Sequence, residues 1–173
     1  MKDFVYNTPT KVFFGKDKHK EVGNIIKEYG FSKIMLMFGM GSIKKNGLFD
    51  EVTASLLENG IEFVEMGSVE PNPKLDYVRR AAIIAKKENV ELVLAVGGGS
   101  AIDAAKYTAA AAYNDCDPWD FPTGKCVPKK GLPVACILTI PSISPLCRDP
   151  HVPQFRSFTA STGFSTGRTP QNA

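Results

Sequence analysis

The sequence is poor in the residues that most often advertise a metal or a secreted scaffold. Its 173 residues include two histidines, His19 and His151, one tryptophan and four cysteines. Cys116, Cys126, Cys136 and Cys147 lie too far apart for CxxC metal pairs and do not form the dense framework of a short secreted domain, so a reducing cytoplasm is expected. No apolar run reaches the length needed to cross a bilayer, and the start of the chain lacks a basic stretch followed by a long apolar one, so neither membrane nor signal peptide is expected. Charge of one sign is not concentrated anywhere: the net charge of +3 comes from lysines interleaved with acids, which argues against a nucleic-acid or membrane partner. A hydrophobic fraction of 43% in a chain of this length suits one globular domain.

What is present is an alternation of strand-like and helix-like segments. Residues 4–6 and 11–14 are short β-like runs around Asn7, Thr8 and Pro9, and predict an amino-terminal β-hairpin or edge strand. Residues 33–38 (KIMLMF) form a buried-strand run closed by Gly39; residues 48–58 carry apolar side chains at helical spacing and stop at Asn59-Gly60. A second strand, 61–66, ends at Gly67, and Asn72-Pro73 supply a cap and a first helical residue for a helix over 74–89. The third unit is the strand 91–96, the turn Gly97-Gly98-Gly99 and an Ala-rich helix over 100–113, followed by a Pro- and Lys-rich loop and a strand over 134–140. Repeated β-α-β units predict an α/β, Rossmann-like parallel sheet with helices on both faces.

Gly97-Gly98-Gly99-Ser100 followed by Asp103 is the most specific feature. A helix amino terminus offers unpaired N–H groups and a partial positive charge, and glycine lets a phosphate approach that backbone. The same residues could merely form a tight turn in which Ser100 and Asp103 make a capping box, and the two readings are compatible. Ligands on parallel sheets bind beyond the carboxyl ends of the strands, where Gly39, Gly67, Gly97 and Thr139 would lie. A nucleotide stretched along that rim would meet Gly39, Gly41 and Ser42, then Asn72, then Gly98 to Ser100, then Thr139. Asn72 could equally be only a helix cap, and Thr139 an ordinary strand residue. The slot from Gly39 to Ser42 holds no carboxylate that would repel a 2′-phosphate, and Lys44 and Lys45 stand nearby, which favours NADP over NAD; solvated lysines are the plainer reading of that pair.

In order and spacing, the segments Phe13-Phe14-Gly15, Gly41-Ser42-Ile43-Lys44-Lys45-Asn46-Gly47, Glu70-Pro71-Asn72-Pro73, Gly97 to Lys106, Pro118-Trp119-Asp120 and Leu138-Thr139-Ile140-Pro141 resemble the iron-containing (group III) alcohol dehydrogenases, in particular the butanol dehydrogenase branch. The resemblance covers residues 1–141. It implies an NAD(P)-binding amino-terminal domain, a helical carboxyl-terminal domain holding iron or zinc through one Asp and three His, hydride transfer between alcohols and aldehydes, and a homodimer. The related glycerol dehydrogenases and dehydroquinate synthases share the broad fold, but Gly-Ser-Ile-Lys-Lys-Asn-Gly and Glu-Pro-Asn-Pro favour the alcohol dehydrogenases.

The resemblance breaks after Pro141. The family continues with Thr-Gly-Ser-Glu, whereas this chain reads Ser142-Ile143-Ser144-Pro145. Residues 142–173 contain no Lys and no Glu and use Arg148, Arg156 and Arg168 as bases, whereas Arg79 and Arg80 are the only arginines before them. This tail is expected to be disordered or loosely attached. His19, in a Lys-rich turn, is expected to be exposed and His151 idle. The metal-binding half is therefore expected to be missing, leaving either an inactive dinucleotide-binding module or half of an enzyme, with apolar surface uncovered.

Overall fold

The computed structural model describes residues 10–139 and, as backbone, residues 157–162. The first strand, β1 (Lys11–Gly15), is followed by a 3-10 turn (Lys18–Glu21) and helix α1 (Val22–Glu28). Then come β2 (Lys33–Gly39), a single helical turn α2 (Ser42–Lys45), α3 (Leu48–Glu58), β3 (Glu62–Val69) and α4 (Leu75–Lys87). The chain continues through β4 (Leu92–Gly97), α5 (Gly99–Tyr113), a 3-10 turn (Pro118–Asp120), β5 (Val134–Leu138) and β6 (Ser157–Thr162). The six strands form one sheet in the order β1-β6-β5-β4-β2-β3, and every pair is parallel.

Alternation along the central strands divides the core into two layers, because successive side chains point to opposite faces. Ile34, Leu36 and Phe38 of β2 with Leu92, Leu94 and Val96 of β4 pack against Val22 and Ile26 of α1 and Val52 and Leu56 of α3. Met35 and Met37, with Val93, Ala95 and Cys136, pack against Tyr77, Ala81 and Ala85 of α4 and Ile102, Ala105 and Ala109 of α5. The expected α/β architecture with helices on both faces is therefore present. β1 lies at the edge of the described sheet, while residues 4–6, expected to pair with it, lie outside the described residues.

Several local expectations need correction. β3 does not stop at Gly67 but runs on to Val69. A Cβ on Gly67 would lie 2.7 Å from Cζ of Phe38, so this glycine serves close approach to a ring rather than a strand end. Asn72 does not cap α4: it takes a left-handed conformation (φ 54°), and Lys74 is the residue flanking the helix. Ser100 and Asp103 make no capping box, because α5 begins one residue earlier, at Gly99, with Gly98 in the cap position and no side-chain cap. His19 is buried rather than exposed, and its Nε2 meets the carboxylate of Glu51 on α3. Cys116 and Cys126 are joined by a disulfide, a pairing for which the wide cysteine spacing carries no signal. The loop between them folds back, with the Cys126 N–H donating to the Asp120 carbonyl at 3.1 Å, which no short cysteine spacing would announce.

The expected tail also contains an element. Ser157–Thr162 is strand β6, parallel to β1 on one side and β5 on the other. A strand so placed gains backbone hydrogen bonds from both neighbours, which compensates for a weak hydrophobic pattern of its own. Cys147, His151 and the remaining residues of 140–156 and 163–173 lie outside the described residues.

Candidate functional site

An all-parallel sheet places every strand's carboxyl end on one rim. Along that rim the chain reverses its direction of travel between β2 and β4. From β2 it passes through α2 and α3 to β3 at the described edge, and from β4 it passes through α5, on the opposite face, to β5. Loops leaving neighbouring strands toward opposite faces open a crevice between them. The residues at this crevice are Gly39 at the end of β2 and Gly97 at the end of β4. Thr139 follows β5, and its N–H donates to the Gly97 carbonyl at 3.2 Å. These three stand side by side.

The Ala-rich sequence of α5 brings its amino terminus to this rim. Ala101, Ala104, Ala105 and Ala109 are buried, and their short side chains let the helix axis sit close to the sheet. The first bond of the helical ladder runs from the Ile102 N–H to the Gly98 carbonyl, so the amides of Gly99, Ser100 and Ala101 precede it and carry the positive end of the helix dipole. A Cβ built on Gly98 or Gly99 would meet nothing within 4 Å. Packing within the protein therefore does not require glycine at either position, while close approach of a ligand to the backbone does.

On the β2 side, the Gly41 N–H donates to the Gly39 carbonyl at 2.9 Å, and Ser42 opens α2. Lys44 is engaged: its Nζ lies 2.7 Å from Glu65 of β3 and over the rings of Phe38 and Phe49. Lys45 is exposed beside it. Asn72 and Asp103 line a second region, a cleft of about 440 Å³ walled also by Lys106, Tyr107, Trp119 and Pro122. Partial burial holds the Asp103 carboxyl above its ordinary range, with the positive charge of Lys106 partly offsetting the effect. The structure thus brings Gly39, Gly97 and Thr139 together on the rim, sets Gly98, Gly99 and Ser100 at the helix start, and groups Asn72 with Asp103 on the α4–α5 side.

The wall formed by Pro118, Trp119 and Pro122 was not singled out as a site from the sequence. Its signal lay in Asp117-Pro118-Trp119, a cap residue followed by Pro at a helical start. Asp117 accepts a bond from the Trp119 N–H at 2.9 Å and is gripped by Arg79 of α4 through Nε at 2.8 Å and Nη2 at 3.1 Å. The Arg79 guanidinium, and then the Trp119 amide, hold the Asp117 carboxyl below its usual range.

Residues 9–144 match the family model described as iron-containing alcohol dehydrogenase. The chain belongs to that family. NADH-dependent butanol dehydrogenase A of Clostridium acetobutylicum is 49% identical over 140 residues, which cover 81% of this chain and 36% of that protein. The NADPH-dependent aldehyde reductase YqhD of Escherichia coli is 35% identical over 145 residues, covering 82% of this chain and 36% of the reductase. Among solved structures, the crystal structure of NADH-dependent butanol dehydrogenase A from Thermotoga maritima superposes with a TM-score of 0.85 at 37% identity, covering 94% of this chain and 44% of that one. This iron-containing alcohol dehydrogenase chain thus spans about 36% of the length of the curated relatives it matches. No helix among the described residues is long and apolar enough to cross a membrane.

Proposed function

We propose that this chain is the coenzyme-binding part of an NAD(P)-dependent oxidoreductase that interconverts alcohols and aldehydes. The observation that carries the reading is the open space in front of Gly98 and Gly99 at the start of a fifteen-residue helix, on the rim where β2 and β4 diverge. The diphosphate would lie against the amides of Gly97, Gly98, Gly99 and Ser100, with Gly39, Gly41, Ser42 and Lys45 along the adenosine side, Asn72 and Asp103 flanking, and Thr139 beyond β5. In the family's chemistry a hydride leaves the carbinol carbon for C4 of the nicotinamide as the hydroxyl loses its proton, and aldehyde reduction runs the other way.

The absence of a carboxylate from Gly39 to Ser42, with Lys45 exposed beside it, favours a coenzyme carrying a 2′-phosphate. The relatives' names divide between NADH and NADPH. Isothermal titration with both coenzymes tests the reading: binding of either supports it, NADPH should bind more tightly, and much tighter NADH binding would remove the preference. The donor set does not fit the family's metal. Among the described residues no three His, Cys, Asp or Glu side chains converge, and His19 is committed to Glu51. The 173-residue chain is accordingly proposed to bind coenzyme without turning over butyraldehyde, and aldehyde reduction that EDTA abolishes would overturn this.

A further inference from the structure

The loop between α5 and β5 is built as a strap. Asp117 is fastened to Arg79 of α4, and Phe121 is buried against Ala82, Ala110 and Ala111 with its ring stacked on Tyr107 at 6.5 Å. Between these anchors the strap turns Trp119, 58% exposed, into the cleft that Asn72 and Asp103 also line, and Pro122, just past Phe121, lines it too. Its two ends are tied by the Cys116–Cys126 disulfide, ten residues apart. Cys116, only partly buried, also borders a surface depression of about 390 Å³ with Arg79, Ile83 and Lys86, which puts one end of the bridge at the protein surface. Cys136 is 3% exposed inside β5 and takes no part in it.

We propose that Cys116 and Cys126 are a reversible redox site, and that closing their bridge fixes the strap wall and tightens the cleft's hold on a nicotinamide coenzyme. The exchange needs only a low-molecular-weight disulfide. One protein thiolate attacks it and releases one small thiol; the second cysteine then attacks the mixed disulfide and releases the other. The two protein thiols lose two electrons and two protons in all, and the small disulfide leaves as two thiols. The energetic logic is preorganisation: a tied strap has already lost the freedom that binding would otherwise remove. Because Arg79 and Phe121 hold the strap in either state, the effect is graded rather than all-or-none.

The coenzyme part rests on the function proposed above, and the test separates the two. The full chain is equilibrated with oxidised or reduced glutathione, its bridges are mapped by peptide mass, and NADH and NADPH are titrated into each form and into Cys116→Ser and Cys126→Ser. Acrylamide quenching of Trp119, the chain's one tryptophan, is followed in parallel. The expected results are a Cys116–Cys126 bridge, coenzyme binding about threefold to tenfold tighter in the oxidised form, lower quenching of Trp119 in that form, and loss of both differences in either variant. Equal affinity in the two forms, or a bridge to Cys136 or Cys147 instead, overturns this inference alone. Absence of coenzyme binding in both forms overturns it together with the proposed function.

Discussion

At the scale of single residues, the candidate site makes an unusual demand on Gly98. Its backbone (φ −96°, ψ −163°) is one that any residue can adopt, and a Cβ there has room. Gly98→Ala should cost no more than about 1 kcal/mol in urea stability, as a Cβ fits there and only the cap preference for glycine over alanine is lost. Calorimetric coenzyme affinity should fall at least about tenfold, because the side chain would occupy the space of the phosphate. A variant that loses stability but keeps its affinity would count against the phosphate cradle. Asp117 gives a second residue-scale outcome, in pH. Its folded carboxyl titrates below the ordinary aspartate range because Arg79 bonds it, so its stabilising contribution is complete above that range and is lost as pH falls through the lowered value. Arg79→Gln should flatten the acid side of the melting-temperature profile, read by circular dichroism.

At the scale of elements, α1 and α3 touch closely enough for one hydrogen to matter. A Cβ on Gly23 would lie 2.0 Å from the carbonyl oxygen of Ser55, whose side chain accepts a bond from the Gly23 N–H at 3.1 Å. Alanine in place of glycine inside a helix ordinarily gains up to about 1 kcal/mol. Here the clash with rigid backbone should reverse the sign, so that Gly23→Ala costs about 3 kcal/mol in urea unfolding. This contact shows where the sequence was legible and where it was not. The buried strands β2 and β4 and the helices α3 and α5 announced themselves through their own apolar patterns, and the glycine turns between them fixed the rim. What depended on a partner stayed hidden: α1, which had no expectation attached to it, the burial of His19 under Glu51, the meeting of Cys116 with Cys126, and β6, whose place is set by hydrogen bonds from β1 and β5. In the candidate site, the rim glycines could be read locally, whereas the Trp119 wall needed the strap to fold back over α4 and α5.

At the scale of the whole molecule, the sheet order joins the two ends of the described chain. β1 has β6 as its neighbour, and β6 alone separates it from β5. A chain ended at Pro141 should therefore keep protected amides in β2, β4 and β5 but lose protection in β1, where Lys11–Gly15 would lose β6, its partner among the described residues. Hydrogen exchange read by mass spectrometry checks this, and a protected β1 in the shortened chain would contradict the pairing.

The same arrangement bears on synthesis. Among the described strands β1 is made before the others, yet it cannot take its seat beside β6 until residues 157–162 have followed it, so an early segment is among the last to be secured. Between the synthesis of β1 and that of β6, the valine and two phenylalanines of β1 wait without the strand that will pair with them, which makes that interval a period of exposure to mispairing.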